Sequence, residues 1–554
     1  MLLYIRKRLA AIKNMEKNMK KKTLGVMLDV SRNAVMNMDN LKDFLKTLAK
    51  MGYNCMFLYA EDTYEVDGEP YFGYMRGRYS KDEMREMDEY ARGLGIEIIP
   101  CIQTLAHLDT IAKWDVYPMD TPGILMVDDD RTYEFIENMF KTLSKCFKTK
   151  RIHIGMDEAH MLGRGKHLDK YGYETVDVLM KRHLNRIVEI AEKYGYELMI
   201  WSDMYFRPWN DDKYYIEKKE VPKEYIDALP KSVIPVYWDY YHAKESVYDD
   251  MLYNHAQLSK KTWFAGGVWT WGGFAPLNNY SLIRSPKALK ACEKYNVKDI
   301  FVTLWGDNGA ECSKYSAIPA LFQIAEMARG NYDEALIKER FLKKFGVGFD
   351  EFLSLDLPNR VAVPAGDEND PAKAICPCKY MLYSDPFLGF LDSTVKLGEG
   401  EKYVEYAERI REVGKKTRTF RYIFDTLASL CDVLRYKYEL GVKTRAAYKA
   451  GDKAELLRLA KEDYTYAEKN LSVFIKTFEK QWMKENKPQG FEVQHARLGG
   501  LLYRLSYCKK TLIDYANGKS TSIPELCEDI LKFRTESTST YLNIYTRIVT
   551  SNVL

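Results

Sequence analysis

Two adjacent carboxylates close the segment Arg151–His160, RIHIGMDEAH, and no other residues in the chain are better suited by type and spacing to do chemistry. The alternating apolar residues Ile152, Ile154 and Met156 read as a strand that delivers Asp157 and Glu158 at its C-terminal end. A structural strand gains nothing from two acids there, because burying them together costs desolvation and mutual repulsion. The same repulsion raises one pKa, which keeps a protonated acid near neutral pH. Paired carboxylates are the usual equipment for breaking glycosidic bonds, facing each other across the sugar at about 5–5.5 Å or about 6.5–9.5 Å. Neighbours in one chain do not easily flank a ring. One of them can protonate the leaving oxygen while the other orients an amide, provided the sugar's own 2-acetamido oxygen attacks the anomeric carbon. Glu158 is then the acid/base and Asp157 the amide orienter. Two blander readings stand beside this one: a metal cluster of His153, Asp157, Glu158 and His160, and an acid pair favoured by the dipole at a helix N-terminus.

Tryptophan placement adds a second signal. Seven of the nine tryptophans (201, 209, 238, 263, 269, 271 and 305) fall within residues 201–305, and Trp201, Trp238, Trp269 and Trp305 each end an apolar run. The C–H faces of a pyranose pack well on indole rings, and a wall of rings shields a small pocket from water.

The elements that must position these residues repeat one unit. Eight β-branched or aromatic runs, Thr23–Arg32, Cys55–Asp62, Glu97–Thr104, Arg151–Glu158, Glu197–Asp203, Ser232–Tyr240, Lys261–Thr270 and Asp299–Asp307, alternate with helical stretches. In Val178–Tyr194, for example, Leu179, Ile187, Ile190 and Ala191 share one face. Continuous apolar strands alternating with helices indicate a parallel sheet covered on both faces, and eight of them match a (β/α)8 TIM barrel. An open doubly wound sheet is the alternative, but no Gly-x-Gly-x-x-Gly turn follows the first run. Polar and aromatic residues gather where every run ends, and in a barrel those ends converge on one pocket. The barrel is expected over residues 23–345. From 346 to 554 a C-terminal, mainly helical domain is expected, with amphipathic helices at Lys402–Val413, Tyr422–Leu440 and Ala454–Trp482 and a linker at Leu357–Pro371.

Charge and composition exclude other classes. The 554-residue chain carries a formal +4, but residues 1–22 hold about +7 as a basic N-terminal tail, leaving a body near −3. A nearly neutral body gives no reason to expect a nucleic acid partner. No stretch reaches the ~18 apolar residues of a membrane span, and the charged N-terminal segment does not read as a secretory signal. Ten cysteines without repeated spacing suggest free thiols in a reducing, cytoplasmic setting. Cys376-Pro377-Cys378 lacks a second pair, which makes it a weak metal or redox motif.

Residues 153–158, HIGMDE, resemble the His-x-Gly-x-Asp-Glu signature of glycoside hydrolase family 20, the β-N-acetylhexosaminidases. The resemblance extends in order over roughly residues 23–325. It implies that Arg32, in LDVSR, binds the 3- and 4-hydroxyls of the sugar, and that Asp62 and His107 are the acid after strand two and the histidine after strand three. Trp201 and Trp238 correspond to pocket tryptophans, Trp269 ends strand seven, and LWGD implies that Trp305 stacks under the ring while Asp307 holds the 4- or 6-hydroxyl. The family's acetamido-binding tyrosine comes after strand seven, where this chain has Trp269-Thr270-Trp271, so Tyr240 is the candidate in its place. Asp307 stands where Glu is usual, Leu105-Ala106-His107 replaces Pro-Gly-His, and the first strand run near residue 23 leads to the expectation of a short form without the N-terminal α/β domain of larger members. The implied activity is an exo-β-N-acetylhexosaminidase acting with retention through an oxazolinium intermediate on a terminal GlcNAc or GalNAc, with no metal and no cofactor. Relatives often form a homodimer, and Trp482–Gly490 is a stretch that could reach the pocket of its own or a partner subunit. O-GlcNAcase-like and chitinase-like barrels use two neighbouring aspartates or an Asp-x-x-Asp-x-Asp-x-Glu run, and neither occurs here. A non-catalytic sugar-binding barrel would need the tryptophans but not an intact acid pair.

Overall fold

The computed structural model describes residues 22–361, 374–533 and 541–554. The basic tail expected at 1–22 lies outside these residues except for Lys22, as does most of the linker expected at 357–371.

Eight parallel strands close into a barrel: β1 (Thr23–Asp29), β2 (Cys55–Tyr59), β3 (Glu97–Cys101), β4 (Arg151–His153), β5 (Glu197–Trp201), β6 (Val233–Trp238), β7 (Trp263–Gly267) and β8 (Asp299–Leu304). Closure is made by β1 and β8, paired from Thr23 with Asp299 to Leu28 with Leu304. The strand interiors are apolar because helices cover the outside and side chains fill the inside; every residue of CMFLY and VIPVYW is buried. Phe57, Phe301 and Trp263 fill the interior, with Phe57 stacked on Phe301 at 4.2 Å and edge-on to Trp263 at 5.8 Å. Burying a ring such as Phe57 contributes about 2–3 kcal/mol. Trp263 is therefore core, unlike the tryptophans at the strand ends.

At least one helix follows each strand: α1 (Met38–Met51), α2 (Lys81–Gly93), α3 (Asp130–Cys146), α4 (Val176–Tyr194, after a short turn of helix at Lys166–Tyr171), α5 (Lys223–Ala228), α6 (Glu245–Leu258), α7 (Asn278–Lys294) and α8 (Ile318–Ala328). Local chemistry sets their ends. Asn37 caps α1 by accepting from Asn40 N, and Ser80 with Glu83 forms a capping box on α2; each such cap is worth roughly 1 kcal/mol. The face expected on α4 is buried, with Met180, His183 and Leu184 added to it.

One strand departs from expectation at the site itself. Sequence alternation continues to Glu158, yet β4 ends at His153. Gly155, Met156 and Glu158 have φ of 70°, 67° and 51°, so the backbone turns out of the ladder. Regular alternation would send Asp157 and Glu158 to opposite faces; the left-handed residues let both reach the cavity.

Beyond the barrel the chain is helical, including α9 (Pro377–Tyr383), α10 (Lys402–Lys416), α11 (Arg421–Lys437), α12 (Thr465–Glu485) and α13 (Phe491–Ala516). The helix expected over Ala454–Trp482 forms, running without a break from Lys453 to Glu485 through a π-helical stretch at Ala460–Tyr464. Residues 482–490 pack on the loop after β1 and do not line the cavity: Asn37 N donates to Glu485 O at 3.1 Å and Lys487 N to Val35 O at 2.7 Å. No helix among the described residues is long and apolar enough to cross a membrane.

Candidate active site

At the C-terminal ends of the strands lies a depression of about 540 Å³. Its walls are Arg32, Tyr59 and Trp305 with Asp307 on one side, His107, Asp157 and Glu158 on a second, and Trp201, Trp238, Tyr240, Tyr241 and Trp271 on a third. A larger hollow of about 820 Å³ at the opposite end of the barrel, lined by Leu24, Asn54 and Arg329 among others, brings no pair of carboxylates together. The end of a barrel that carries chemistry is the C-terminal one.

The acid pair is built from behind. Gln103, fully buried after β3, donates its amide to Asp157 Oδ1 at 3.0 Å and accepts from Met156 N at 3.3 Å. A Cβ on Gly155 would stand 2.0 Å from Gln103 Oε1, so glycine is required there both by the approach of Gln103 and by the positive φ. His107 Nε2 lies 3.2 Å from Asp157 Oδ2 and 3.7 Å from Glu158 Oε2. Burial pulls the His107 imidazolium down, but Asp157 outweighs it and lifts the pKa to about 9. Burial would raise Asp157; the His107 charge close by and the hydrogen bond from Gln103 instead hold it at about 2. Glu158 moves the other way, raised first by burial and then by the charge of Asp157. Its backbone N–H donates to Asp203 Oδ2 at 3.0 Å, and burial beside Asp157 pushes Asp203 up to about 7.

The opposite wall holds a cation. Arg32 lies 3.1 Å from Asp29 and 3.3 Å from Glu61, with its guanidinium 5.0 Å and 5.2 Å from the ring centres of Tyr59 and Trp305. Tyr59 donates to Glu61 at 3.1 Å and accepts from Gln103 at 3.0 Å. One polar chain, Arg32–Glu61–Tyr59–Gln103–Asp157, thus ties the guanidinium to the acid pair across the cavity floor. Asp307, raised by burial and lowered by Arg32, faces the cavity beside it. Trp305 meets Tyr59 edge-on at 4.6 Å, Trp238 stacks with Tyr240 at 5.4 Å, and Trp271 stacks with Trp269 at 4.3 Å. The arrangement offers apolar faces for a ring, charged groups for its hydroxyls, and one acid that favours its proton beside one that stays ionised.

The family model for the glycosyl hydrolase family 20 catalytic domain matches residues 24–328, and the model for the glycoside hydrolase 20C C-terminal domain matches residues 350–544. The chain belongs to glycoside hydrolase family 20. Among curated relatives of this family 20 chain, a probable beta-hexosaminidase of Arthroderma benhamiae is 28% identical over 215 residues, covering 32% of this chain and 35% of that protein. A beta-hexosaminidase of Emericella nidulans is 30% identical over 251 residues, 39% of each. The chain thus spans well under half the length of these two relatives. A solved GH20 exo beta-N-acetylglucosaminidase from Vibrio harveyi, in complex with N-acetylglucosamine, superposes with a TM-score of 0.44 at 16% identity over 61% of this chain and 58% of that one.

In this family 20 chain the cavity brings together Arg32, His107, Asp157, Glu158, Trp201, Trp238, Tyr240, Trp305 and Asp307. Asp62 and Trp269, both expected there, lie outside the lining. Asp62 turns away to bind Arg76 Nε at 3.1 Å, because the chain leaves the β2 ladder at Tyr59 and its neighbour Glu61 takes the inward position beside Arg32. Trp269 stacks behind Trp271 and donates to the Tyr240 carbonyl at 3.0 Å, so it supports the wall that Trp271 presents. Tyr59, Tyr241 and Trp271 were not anticipated; the aromatic pairs Tyr240-Tyr241 and Trp269/Trp271 do not say which ring faces inward.

The cluster expected to rival the acid pair does not form as drawn. His153 is buried against Trp201 at 4.4 Å, its Nδ1 accepts from Gly155 N, and burial pulls its pKa down to about 3. His107, Asp157 and Glu158 do place ligand atoms within 4.8 Å of one another. There the His107 proton already balances Asp157. In a second group, Asp128, His167 and Glu174, Arg182 bonds both carboxylates, at 2.7 and 2.6 Å. Cys376 and Cys378 are buried, and the Cys376 thiol is engaged by the backbone of Leu542.

Proposed function

We propose that the chain is an exo-β-N-acetylhexosaminidase that removes terminal β-linked GlcNAc or GalNAc with retention, the substrate's 2-acetamido group serving as nucleophile. One observation carries the reading: Asp157 is fastened from behind by Gln103 and His107, while its neighbour Glu158 stands at the mouth with its proton favoured. The two carboxylates are thereby given different work. Asp157, ionised, accepts the amide N–H and turns the acetamido oxygen toward C1. That oxygen forms its bond to C1 as the bond to the leaving oxygen breaks, and Glu158 gives its proton to the leaving group. The product of this step is a cyclic oxazolinium, its positive charge facing Asp157. Glu158, now a carboxylate, takes a proton from water as the water opens the ring at C1, and two inversions leave the β configuration unchanged.

Indoles on two of the walls, with the Arg32–Asp307 pair beside Trp305, suit a terminal residue entering sugar-first. The Tyr240 hydroxyl faces Trp305 and Thr303 and feels the charge of Asp157, whereas Tyr241 feels Asp307 and Glu158. This favours Tyr240 for the acetamido side and Tyr241 for the mouth. The hexosaminidase names of the relatives agree with this substrate class. Ten cysteines without a disulfide support a reducing compartment, for which the cytoplasm is our reading.

Hydrolysis of an aryl N-acetyl-β-glucosaminide, inhibited competitively by the corresponding thiazoline, tests the proposal. Glu158→Gln should lose about 10²- to 10⁴-fold on an alkyl glycoside and far less on one with an acidic phenol leaving group. Equal losses on the two substrates would remove Glu158 as the proton donor. Binding of N-acetylglucosamine without turnover by the wild type would make the barrel a sugar-binding module.

A further inference from the structure

The C-terminal helices reach the active-site wall through one loop. Asn308, Gly309 and Ala310 directly follow Trp305-Gly306-Asp307, and all three have positive φ, at 53°, 128° and 51°. Left-handed backbone costs an L residue about 1–2 kcal/mol, so Asn308 and Ala310 keep it only where their surroundings impose it. Those surroundings come from the C-terminal region. The Asn308 carbonyl accepts from Lys379 Nζ at 2.9 Å and Arg497 Nη1 at 2.7 Å, and its side-chain oxygen accepts from Tyr545 N at 2.9 Å. The Gly309 carbonyl accepts from Gln494 Nε2 at 3.1 Å. A Cβ on Gly309 would meet Arg497 Nη1 at 2.6 Å, and the φ of 128° favours glycine there. Glu311, its side chain 1% exposed, pairs with Lys379 at 2.8 Å and Arg497 at 3.2 Å. A buried cation, Lys379, and a largely covered one, Arg497, against one carboxylate are costly unless their remaining donors are used. Here those donors are spent on the Asn308 carbonyl.

We propose that Arg497, with Lys379 and Gln494, positions Asp307 and Trp305, so that the C-terminal helices set how the pocket fits the sugar hydroxyls remote from the acetamido group. The proposal rests on the reading of the cavity as a sugar pocket. None of the three side chains lines the cavity, so they act through the loop. The 4-hydroxyl, which distinguishes gluco from galacto sugars, is the group most exposed to the loop's position.

The test uses the full chain with Arg497→Ala and Arg497→Lys, read by backbone hydrogen exchange over residues 304–311 and by kinetics on aryl N-acetyl-β-glucosaminide and galactosaminide. In Arg497→Ala, exchange over 304–311 should quicken by about tenfold or more while that of 151–158 stays unchanged, as expected for loss of a charged hydrogen-bond donor. KM should rise about tenfold with kcat changed less than about threefold, and the ratio between epimers should move toward one. Arg497→Lys, which keeps a cation within reach, should recover most of the KM. A merely architectural role would lower the melting temperature and leave KM and the epimer ratio alone, and that result overturns the proposal. Unaltered exchange over 304–311 also overturns it, whether or not the enzyme turns over. A wild type without turnover whose Arg497→Ala variant still shows the quickened loop would strike the hexosaminidase reading and leave the positioning role standing. If Arg497→Ala fails to fold, Gln494→Met, which removes only the contact to Gly309, carries the same readouts.

Discussion

Gln103 tests whether Asp157 is held as an aimed anion. Gln103→Met keeps the length of the side chain and its burial but deletes the amide that donates to Asp157 Oδ1 at 3.0 Å. A hydrogen bond to a charged group is worth about 1.5–3 kcal/mol, and one pKa unit corresponds to about 1.4 kcal/mol, so Asp157 should rise by about 1–2 units. The Asp157 pKa is depressed to about 2, so the stabilisation of its anion is present above the ordinary carboxylate range and lost as pH falls through that value. The substitution therefore moves the acid limb of kcat/KM upward by about one unit or more. Near neutral pH the carboxylate remains ionised but loses a fixed partner, and the rate should fall at least about tenfold, with thiazoline affinity falling in step. The assay is kcat/KM for an aryl N-acetyl-β-glucosaminide from about pH 2 to about pH 8, beside the inhibition constant of the thiazoline. An acid limb and a thiazoline affinity that both stay where they are in the wild type refute the reasoning.

Three further outcomes are expected. His107→Gln removes a charge that lowers both Asp157 and Glu158, so both limbs of the pH–rate profile should shift to higher pH; a shift of either limb downward contradicts the assignment. Gly155→Ala forces a methyl to 2.0 Å from Gln103 Oε1 at a φ of 70°, and should cost about 2 kcal/mol or more in denaturant unfolding, with turnover falling beyond the loss of folded protein. Burial pushes the Glu485 carboxyl up to about 7 beside Ser313 and Tyr422, so its ionisation opposes folding as pH rises from the ordinary carboxylate range through that value. Glu485→Gln should raise the melting temperature at about pH 8 and leave it nearly unchanged at about pH 5; a lower melting temperature at both would mean that the hydrogen bonds outweigh the charge.

Much of the barrel was legible because a strand buried on both faces is apolar throughout and the intervening helices keep a regular apolar face, as CMFLY and the α4 face illustrate. The acid pair was legible as chemistry, since two adjacent carboxylates after an apolar run have no structural use. Its geometry was not: periodicity carries Asp157 and Glu158 to opposite faces, and only the left-handed turn at Gly155 and Met156 undoes that. Glu61 and Asp62 present the same difficulty in miniature. Both are acids at the end of β2, and which one turns inward depends on where the ladder releases the chain. The long helix α13 was not singled out in the sequence; it carries Gly499 and Gly500 on its exposed face, and burial of Leu498, Leu501 and Leu505 sustains it. Contacts such as Arg497 to Asn308 span 189 residues, and no local pattern reports them.

The nucleophile can be interrogated by substituting fluorine stepwise into the acetyl group of an aryl N-acetyl-β-glucosaminide. Each fluorine withdraws electrons from the amide oxygen and leaves the leaving group unchanged. Attack by that oxygen predicts a kcat/KM that drops steeply with every fluorine added. A rate that is flat across the series, or a matching glucoside cleaved as fast as the acetamido sugar, would mean that the bond to C1 is made by a group of the protein or by water.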